Sequence, residues 1–160
     1  MPVERLIPSQ DNQTKELHHK VLSFWYNNSM NVLFICNGNV ARSQEAELFF
    51  NTLSKKNHAQ SAGINVEVGK PIDPLVTEVM DELGYSMEHA ERKFADEALV
   101  DVADLIVSFK PFDELPDSIR QRENIRYWNV PDPQHQPTEF HRKVRDTIKR
   151  NVEELVKENE

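Results

Sequence analysis

Apolar residues in this chain fall in short, evenly spaced blocks, most followed by a stretch with apolar positions at helical spacing. Asn31 to Cys36 (NVLFIC) is a nearly continuous apolar run, the pattern of a strand buried on both faces of a parallel sheet. Gly38 breaks it, and residues 42–55 follow with helix formers and apolar Ala46, Phe49, Phe50 and Leu53. Residues 58–61 predict a short second strand ending at Gly63. Pro74 stands where the start of a helix tolerates proline and Gly84 where its end favours glycine, so a helix is expected between them. A short helix over 94–101, a third strand over Leu105–Phe109, a fourth from Ile125 to Val130 and a long, charge-laced helix over 137–158 complete the order. Ahead of all these, residues 14–28 put Leu17, Val21, Phe24 and Trp25 on one stripe, which predicts an amphipathic N-terminal helix.

Short strands alternating with helices predict an α/β fold: a four-stranded parallel sheet with helices on both faces, joined by right-handed crossovers. Residues 1–30 are read as an extension carrying the extra helix, and residues 31–160 as one domain. Composition fits one soluble globular domain, with 160 residues, 38% hydrophobic and 29% charged. The start, MPVERLIPSQDNQT, lacks an apolar block behind a basic tract, so no secretory signal is expected and a cytoplasmic location is. No run approaches the roughly 18 apolar residues of a membrane helix. A net charge of −8 argues against a nucleic-acid partner, which clustered Lys and Arg would hold. The single cysteine excludes a disulfide framework and a cysteine-based metal site, and His18, His19, His58 and His141 show no ligand spacing and read as surface. No metal or cofactor is expected.

That cysteine changes the picture. In open parallel sheets, sites form at the C-terminal ends of strands, and Cys36 stands there. The loop Cys36, Asn37, Gly38, Asn39, Val40, Ala41, Arg42 runs straight into a helix, so its backbone N–H groups converge as an anion-binding nest. Gly38 and Asn39 are the residue types that best tolerate the left-handed backbone of such a nest. N–H dipoles and Arg42 stabilise a thiolate at Cys36, and the Ser43 hydroxyl is in reach to donate to it. The Arg42 fork suits two oxygens of a tetrahedral oxyanion. A lone cysteine at a strand end is ordinarily an inert buried thiol. With Gly38, Arg42 and Ser43 around it, the nucleophile is the better reading.

The segment Cys-x5-Arg-Ser directly after the VLFI strand resembles the low-molecular-weight protein tyrosine phosphatases and the arsenate reductases that share their fold. Gln60 to Gly63 (QSAG), Gly69 to Pro71 (GKP), Asp81 to Gly84 (DELG) and Val130 to Pro133 (VPDP) agree in order, so the resemblance covers residues 31–158. It implies a phosphatase-I-like three-layer sandwich and a protein phosphatase that acts through a cysteinyl-phosphate. Cys36 is then the nucleophile, the loop 37–42 binds phosphate, and Asp132 before Pro133 is general acid and then base. It further implies a polar network of Asn39, Ser43, Ser61 and His89 that holds the loop in shape.

Departures from that pattern shape the functional expectation. Ile64 to Val68 (INVEV) and Gln134 to Gln136 (QHQ) offer no aromatic ring beyond the His135 imidazole, where these phosphatases usually wall the pocket with aromatics. Stacking on a phosphotyrosine ring is therefore weakened. Asn37 makes the mouth more polar, and Val40 resembles the tyrosine phosphatases rather than relatives acting on phosphoarginine. Ala41 stands where many relatives carry a second cysteine, so a thioredoxin-coupled internal disulfide relay is excluded. Ser43 to Ala46 (SQEA) looks more like the reductase motif. The leading expectation is a cysteine-dependent phosphomonoester hydrolase. The alternatives are an arsenate reductase borrowing an external small thiol and an oxyanion-binding regulatory module with little activity. The partner expected is a phosphorylated protein or small molecule, or arsenate.

Overall fold

A computed structural model describes residues 13–17 and 29–160. The sheet is built from β1 (Asn31–Cys36), β2 (His58–Gly63), β3 (Leu105–Ser108) and β4 (Ile125–Tyr127). All pairs are parallel, in the order β2-β1-β3-β4, so β1 is central and bonded on both sides. Its alternation sorts the core into two layers. Val32, Phe34 and Cys36 face one cluster, with Phe49 and Phe50 of helix α1 (Arg42–Leu53), Val76 and Met80 of α2 (Pro74–Asp81) and Ile148 and Val152 of α5 (Thr138–Asn159). Leu33 and Ile35 face the other, with Val100 of α3 (Glu97–Val102) and Ile119 of α4 (Asp117–Arg120). The four-stranded parallel α/β sandwich expected from the sequence is the fold observed.

Element ends differ from the sequence pattern for identifiable reasons. Helix α3 starts at Glu97 because Asp96 caps it, accepting from Leu99 N at 2.9 Å. The residues before it are pinned to the sheet, with Ala95 N bonded to Gly63 O at 2.9 Å. Strand β4 ends at Tyr127 rather than Val130. Trp128 N still reaches Ser108 O at 2.9 Å, but Pro131 has no N–H to continue a ladder. The short turns Phe112–Glu114 (3-10) and α4 lie in a stretch without helical periodicity. Of the N-terminal helix expected over 14–28, residues 13–17 are helical. Val21, Phe24 and Trp25 lie outside the described residues.

Two helices carry the polar fastening of the first layer. Arg145 on α5 is buried and donates to Val79 O at 2.8 Å and to Glu82 at 2.7 Å. Arg142, one turn earlier, forks onto both Glu82 carboxylate oxygens at 2.8–3.1 Å. His141 also corrects the sequence reading. It is 1% exposed, between α5 and the start of α2, with Nε2 3.9 Å from Asp73 Oδ2. The helix face that buries Val144 and Ile148 passes through position 141, which sets its burial over its polarity.

Gly63 closes β2 opposite Cys36 in the register. A Cβ there would meet Asn37 O at 2.7 Å, Asn39 N at 2.8 Å and Val66 Cγ2 at 2.6 Å, two of them backbone atoms that cannot swing away. Gly63→Ala should therefore destabilise the protein by about 1–3 kcal/mol through overpacking. Urea unfolding should show a lower midpoint at an unchanged m value, and an unchanged midpoint would mean that the loop yields to the methyl group at no cost.

Candidate active site

The chain leaves β1 at Cys36, turns through residues 37–41 and enters α1 at Arg42. The turn depends on Asn39, which is fully buried and left-handed with φ 54°. Only Asn39 takes that backbone; Gly38, the other residue suited to it, is not among the positive-φ positions. Asparagine is among the few side-bearing residues that accept αL, since its amide can bond locally. Here every amide position is used. Nδ2 donates to Ser43 Oγ at 2.8 Å and Ser61 Oγ at 3.0 Å. Oδ1 accepts from Gln44 Nε2 at 2.9 Å and from Lys93 N at 2.8 Å. Ser61 passes its own proton to Glu47 at 2.8 Å.

Ser43 completes the chain of bonds to sulfur, with Oγ 2.8 Å from Cys36 Sγ. The Asn39 amide already donates to that oxygen, which leaves the hydroxyl proton free to point at the sulfur. Cys36 is buried, so the sulfur is met from the cavity side alone. Helix α1 begins without a side-chain acceptor on its first amides, because Ala41 holds the N-cap position. Those orphan N–H groups and the helix dipole favour an anion at that end.

Arg42 is 8% exposed and spans the ends of the other strands. One terminal nitrogen donates to Phe109 O after β3 at 3.3 Å and to Val130 O after β4 at 2.9 Å. The other lies 3.8 Å from Asp132 Oδ2. Its guanidinium carbon sits 5.8 Å from the Phe109 ring centroid, within cation–π range. Asp132 is half exposed, and its Oδ1 accepts from Gln134 N at 3.0 Å, which orients the other oxygen toward Arg42.

These groups line one cavity of about 290 Å³. Cys36, Asn37, Gly38, Val40, Ala41 and Arg42 form its base, and Asp132 and Gln134 one wall. Asn65, Glu67, Asp73 and Arg92 form the opposite wall; Asn65 and Glu67 belong to the Ile64–Val68 stretch expected there by resemblance, while Asp73 and Arg92 were not foreseen. Among the described residues the lining contains no aromatic ring. Arg92 is tethered across this wall, donating to Pro71 O at 2.5 Å and lying 3.7 Å from Glu67. Lys110, also unforeseen, reaches from the end of β3 to Asn37 Oδ1 at 2.8 Å. Two guanidinium groups and three carboxylates line the space, so positive potential comes from Arg42 and the loop amides rather than from the walls.

The structure brings together every residue the sequence selected for the site except one. His89 is exposed and makes no hydrogen bond with Asn39, Ser43 or Ser61 among the described residues. The place expected for it is filled by Gln44, whose amide bridges Asn39 and Glu91 O, the latter at 2.7 Å. Gln44 and the Lys93 amide occupy both acceptor positions of Asn39 Oδ1. The sequence signal was there in Gln44 itself, one residue beyond Ser43 on the first turn of α1. No group of three or more His, Cys, Asp or Glu that could hold a metal ion occurs among the described residues. None of their helices is long and apolar enough to cross a membrane.

Comparison with known proteins agrees with this geometry. An arsenate reductase of Staphylococcus epidermidis is 29% identical over 128 residues, covering 76% of this chain and 92% of that protein. The structure of a low molecular weight protein tyrosine phosphatase from T. tengcongensis superposes with a TM-score of 0.72 at 26% identity, covering 81% of this chain and 99% of that one. An arsenate reductase in the phosphate binding state superposes equally well, with a TM-score of 0.72 at 28% identity over 82% of this chain and 99% of that one. The family model for low molecular weight phosphotyrosine protein phosphatase matches residues 31–160, and the chain belongs to that family.

Proposed function

We propose that this protein is a phosphomonoester hydrolase working through a cysteinyl-phosphate. One observation carries the reading: Cys36 Sγ, held 2.8 Å from the Ser43 hydroxyl, shares a small cavity with Arg42 and Asp132. The phosphoryl group of the substrate sits on the amides of the loop and the start of α1, with Arg42 across two of its oxygens. The Cys36 thiolate attacks phosphorus, the bond to the leaving oxygen breaks, and protonated Asp132 gives that oxygen its proton. Asp132, now a carboxylate, takes a proton from water as the water oxygen attacks phosphorus. The sulfur–phosphorus bond then breaks, releasing phosphate and regenerating the thiolate, which the Ser43 hydroxyl stabilises. Preorganised N–H donors and Arg42 hold the transferring group throughout, in a site whose base is already desolvated.

The cavity favours a polar or slender leaving group over a phenyl ring, since the described residues line it with amide and carboxylate side chains and offer no aromatic surface to stack on. A protein phosphatase of this kind would take an extended phosphopeptide side chain or a small phosphate ester. An internal disulfide relay has no second thiol to use in this chain.

A second reading has its own support. Curated relatives are named arsenate reductases, and Gln44 continues the Arg-Ser-Gln run that resembles theirs. Arsenate would bind as phosphate does and form a Cys36 sulfur–arsenic bond with loss of water. An external low-molecular-weight thiol would attack the Cys36 sulfur, giving a mixed disulfide, while arsenic leaves with the electron pair as arsenite. A second external thiol would release Cys36.

Cys36→Ser should abolish turnover of an aryl phosphate while the variant still folds and binds phosphate; wild-type turnover in that variant would sink the mechanism. Asp132→Asn should lower kcat by roughly 10²–10⁴-fold for esters with poor leaving groups and much less for a good one. An equal loss on both would remove Asp132 as the proton donor. Incubating the enzyme with arsenate and glutathione, with arsenite as the readout, separates the two readings. Turnover of arsenate and none of any phosphate ester would install the reductase in place of the hydrolase.

A further inference from the structure

One buried acid takes no part in the steps above. Glu45 follows Arg42 by three residues, so the two lie on adjoining positions of the same face of α1. It is 0% exposed, and among the described residues neither carboxyl oxygen has a hydrogen-bond partner. The charges whose fields reach it are Arg145 on α5, Arg42 on its own helix and Asp73 at the start of α2. Buried His141, also on α5, stands behind Asp73 at 3.9 Å. Arg145 is committed elsewhere, to Val79 O, Glu82 and Asp146 at 2.7–2.9 Å. Arg42 lies by the Phe109 ring and is committed through one nitrogen to two carbonyls, while its other terminal nitrogen makes, among the described residues, a 3.8 Å approach to half-exposed Asp132. Of the two guanidinium groups near Glu45, the one that lines the cavity is the less firmly engaged.

We propose that Glu45 is a positioning residue for Arg42: with its proton on, it leaves the guanidinium to the bound oxyanion, and once ionised it draws the guanidinium back and weakens oxyanion binding. The inference rests on the reading of the Cys36–Arg42 loop as an oxyanion site. A carboxyl with no donor in a dry interior stays neutral, because ionising it costs several kcal/mol of lost hydration. Burial pushes the Glu45 carboxyl up to about 8, against the opposing pull of Arg145 and Arg42. The coupling is reciprocal: an anion in the cavity opposes a second negative charge behind Arg42 and so holds the proton on Glu45.

Sulfate binding tests this directly, because sulfate is tetrahedral and does not titrate between pH 6.5 and 9.5. The full chain is used as Cys36→Ser, which removes the thiol titration from the comparison. If the neutral acid alone binds well, sulfate affinity should fall about tenfold from pH 7 to pH 9, as a group titrating near 8 requires. Adding Glu45→Gln, which keeps the shape of the neutral acid, should leave the pH 7 affinity unchanged and make the profile flat. Infrared difference spectra of the Glu45-containing protein at pH 8 give a readout independent of that variant's folding. Adding sulfate should increase the carboxylic-acid C=O band. A pH-flat affinity with Glu45 in place, a persisting alkaline loss in Glu45→Gln, or no C=O gain would each overturn the proposal while leaving the oxyanion site standing. No sulfate binding at any pH would overturn the site itself and this inference with it.

Discussion

The site depends on the amide of Asn39. A loop that must present its own N–H groups to a ligand cannot spend them on internal bonds, so its shape has to be fixed from outside. Asn39 does this from inside the turn, with two donated and two accepted hydrogen bonds that reach α1, β2 and the strand-like segment before α3. Three of these bonds are buried and the one from Lys93 N is half-buried, and in a buried setting a lost partner costs about 1–3 kcal/mol. The left-handed backbone at this residue is stable because four bonds over-determine it. Ser43 links the network to chemistry, since the oxygen that Asn39 donates to is the one that faces the Cys36 sulfur.

Parallel strands explain how residues nearly 100 positions apart meet. Every strand points the same way, so the segments after β1, β3 and β4 emerge at one edge and contribute Cys36, Phe109 and Val130 to a common rim. Arg42 ties that rim together, taking a carbonyl from each of the two later segments. The same bonds that hold the guanidinium also hold the Val130–Asp132 turn beside it. Pro131 and Pro133 limit the backbone on either side of Asp132. Positioning the arginine and positioning the acid are therefore one structural event.

This division decides what was legible in the sequence. Strands β1 and β3 and helix α5 announced themselves because burial on both faces, or on one helical stripe, leaves a pattern in the residues themselves. Cys36 and Arg42 were legible because an oxyanion site at a strand-to-helix turn needs those residue types there, and Asp132 through the resemblance of the Val130–Pro133 segment. The second wall of the cavity was legible only in its 64–68 stretch. Arg92 and Asp73 come from segments with no such signal, and the folded path through Pro71 brings Arg92 round. His89 was misplaced because its spacing says nothing about whether an acceptor is still vacant, and Gln44 had already taken it. Glu45 hid in plain sight, since a polar residue on an amphipathic helix ordinarily faces water.

A protein of net charge −8 that binds an oxyanion is not a contradiction, and the geometry shows why. At physiological ionic strength, exposed charges more than about 8 Å away are largely screened. The buried Arg42 and the first amides of α1 lie next to the ligand position in a cavity where water screens them far less. The acidic surface then opposes capture at long range without reversing binding at contact. Carboxylates on the cavity walls tune this balance locally: Glu67 is drawn toward Arg92 and Lys70, and Asp132 toward Arg42. Glu67 and Asp132 each face a cation, so the field in the cavity depends on how those two pairs are held. Around a fixed loop, these ion pairs rather than aromatic rings make up the described walls of the cavity.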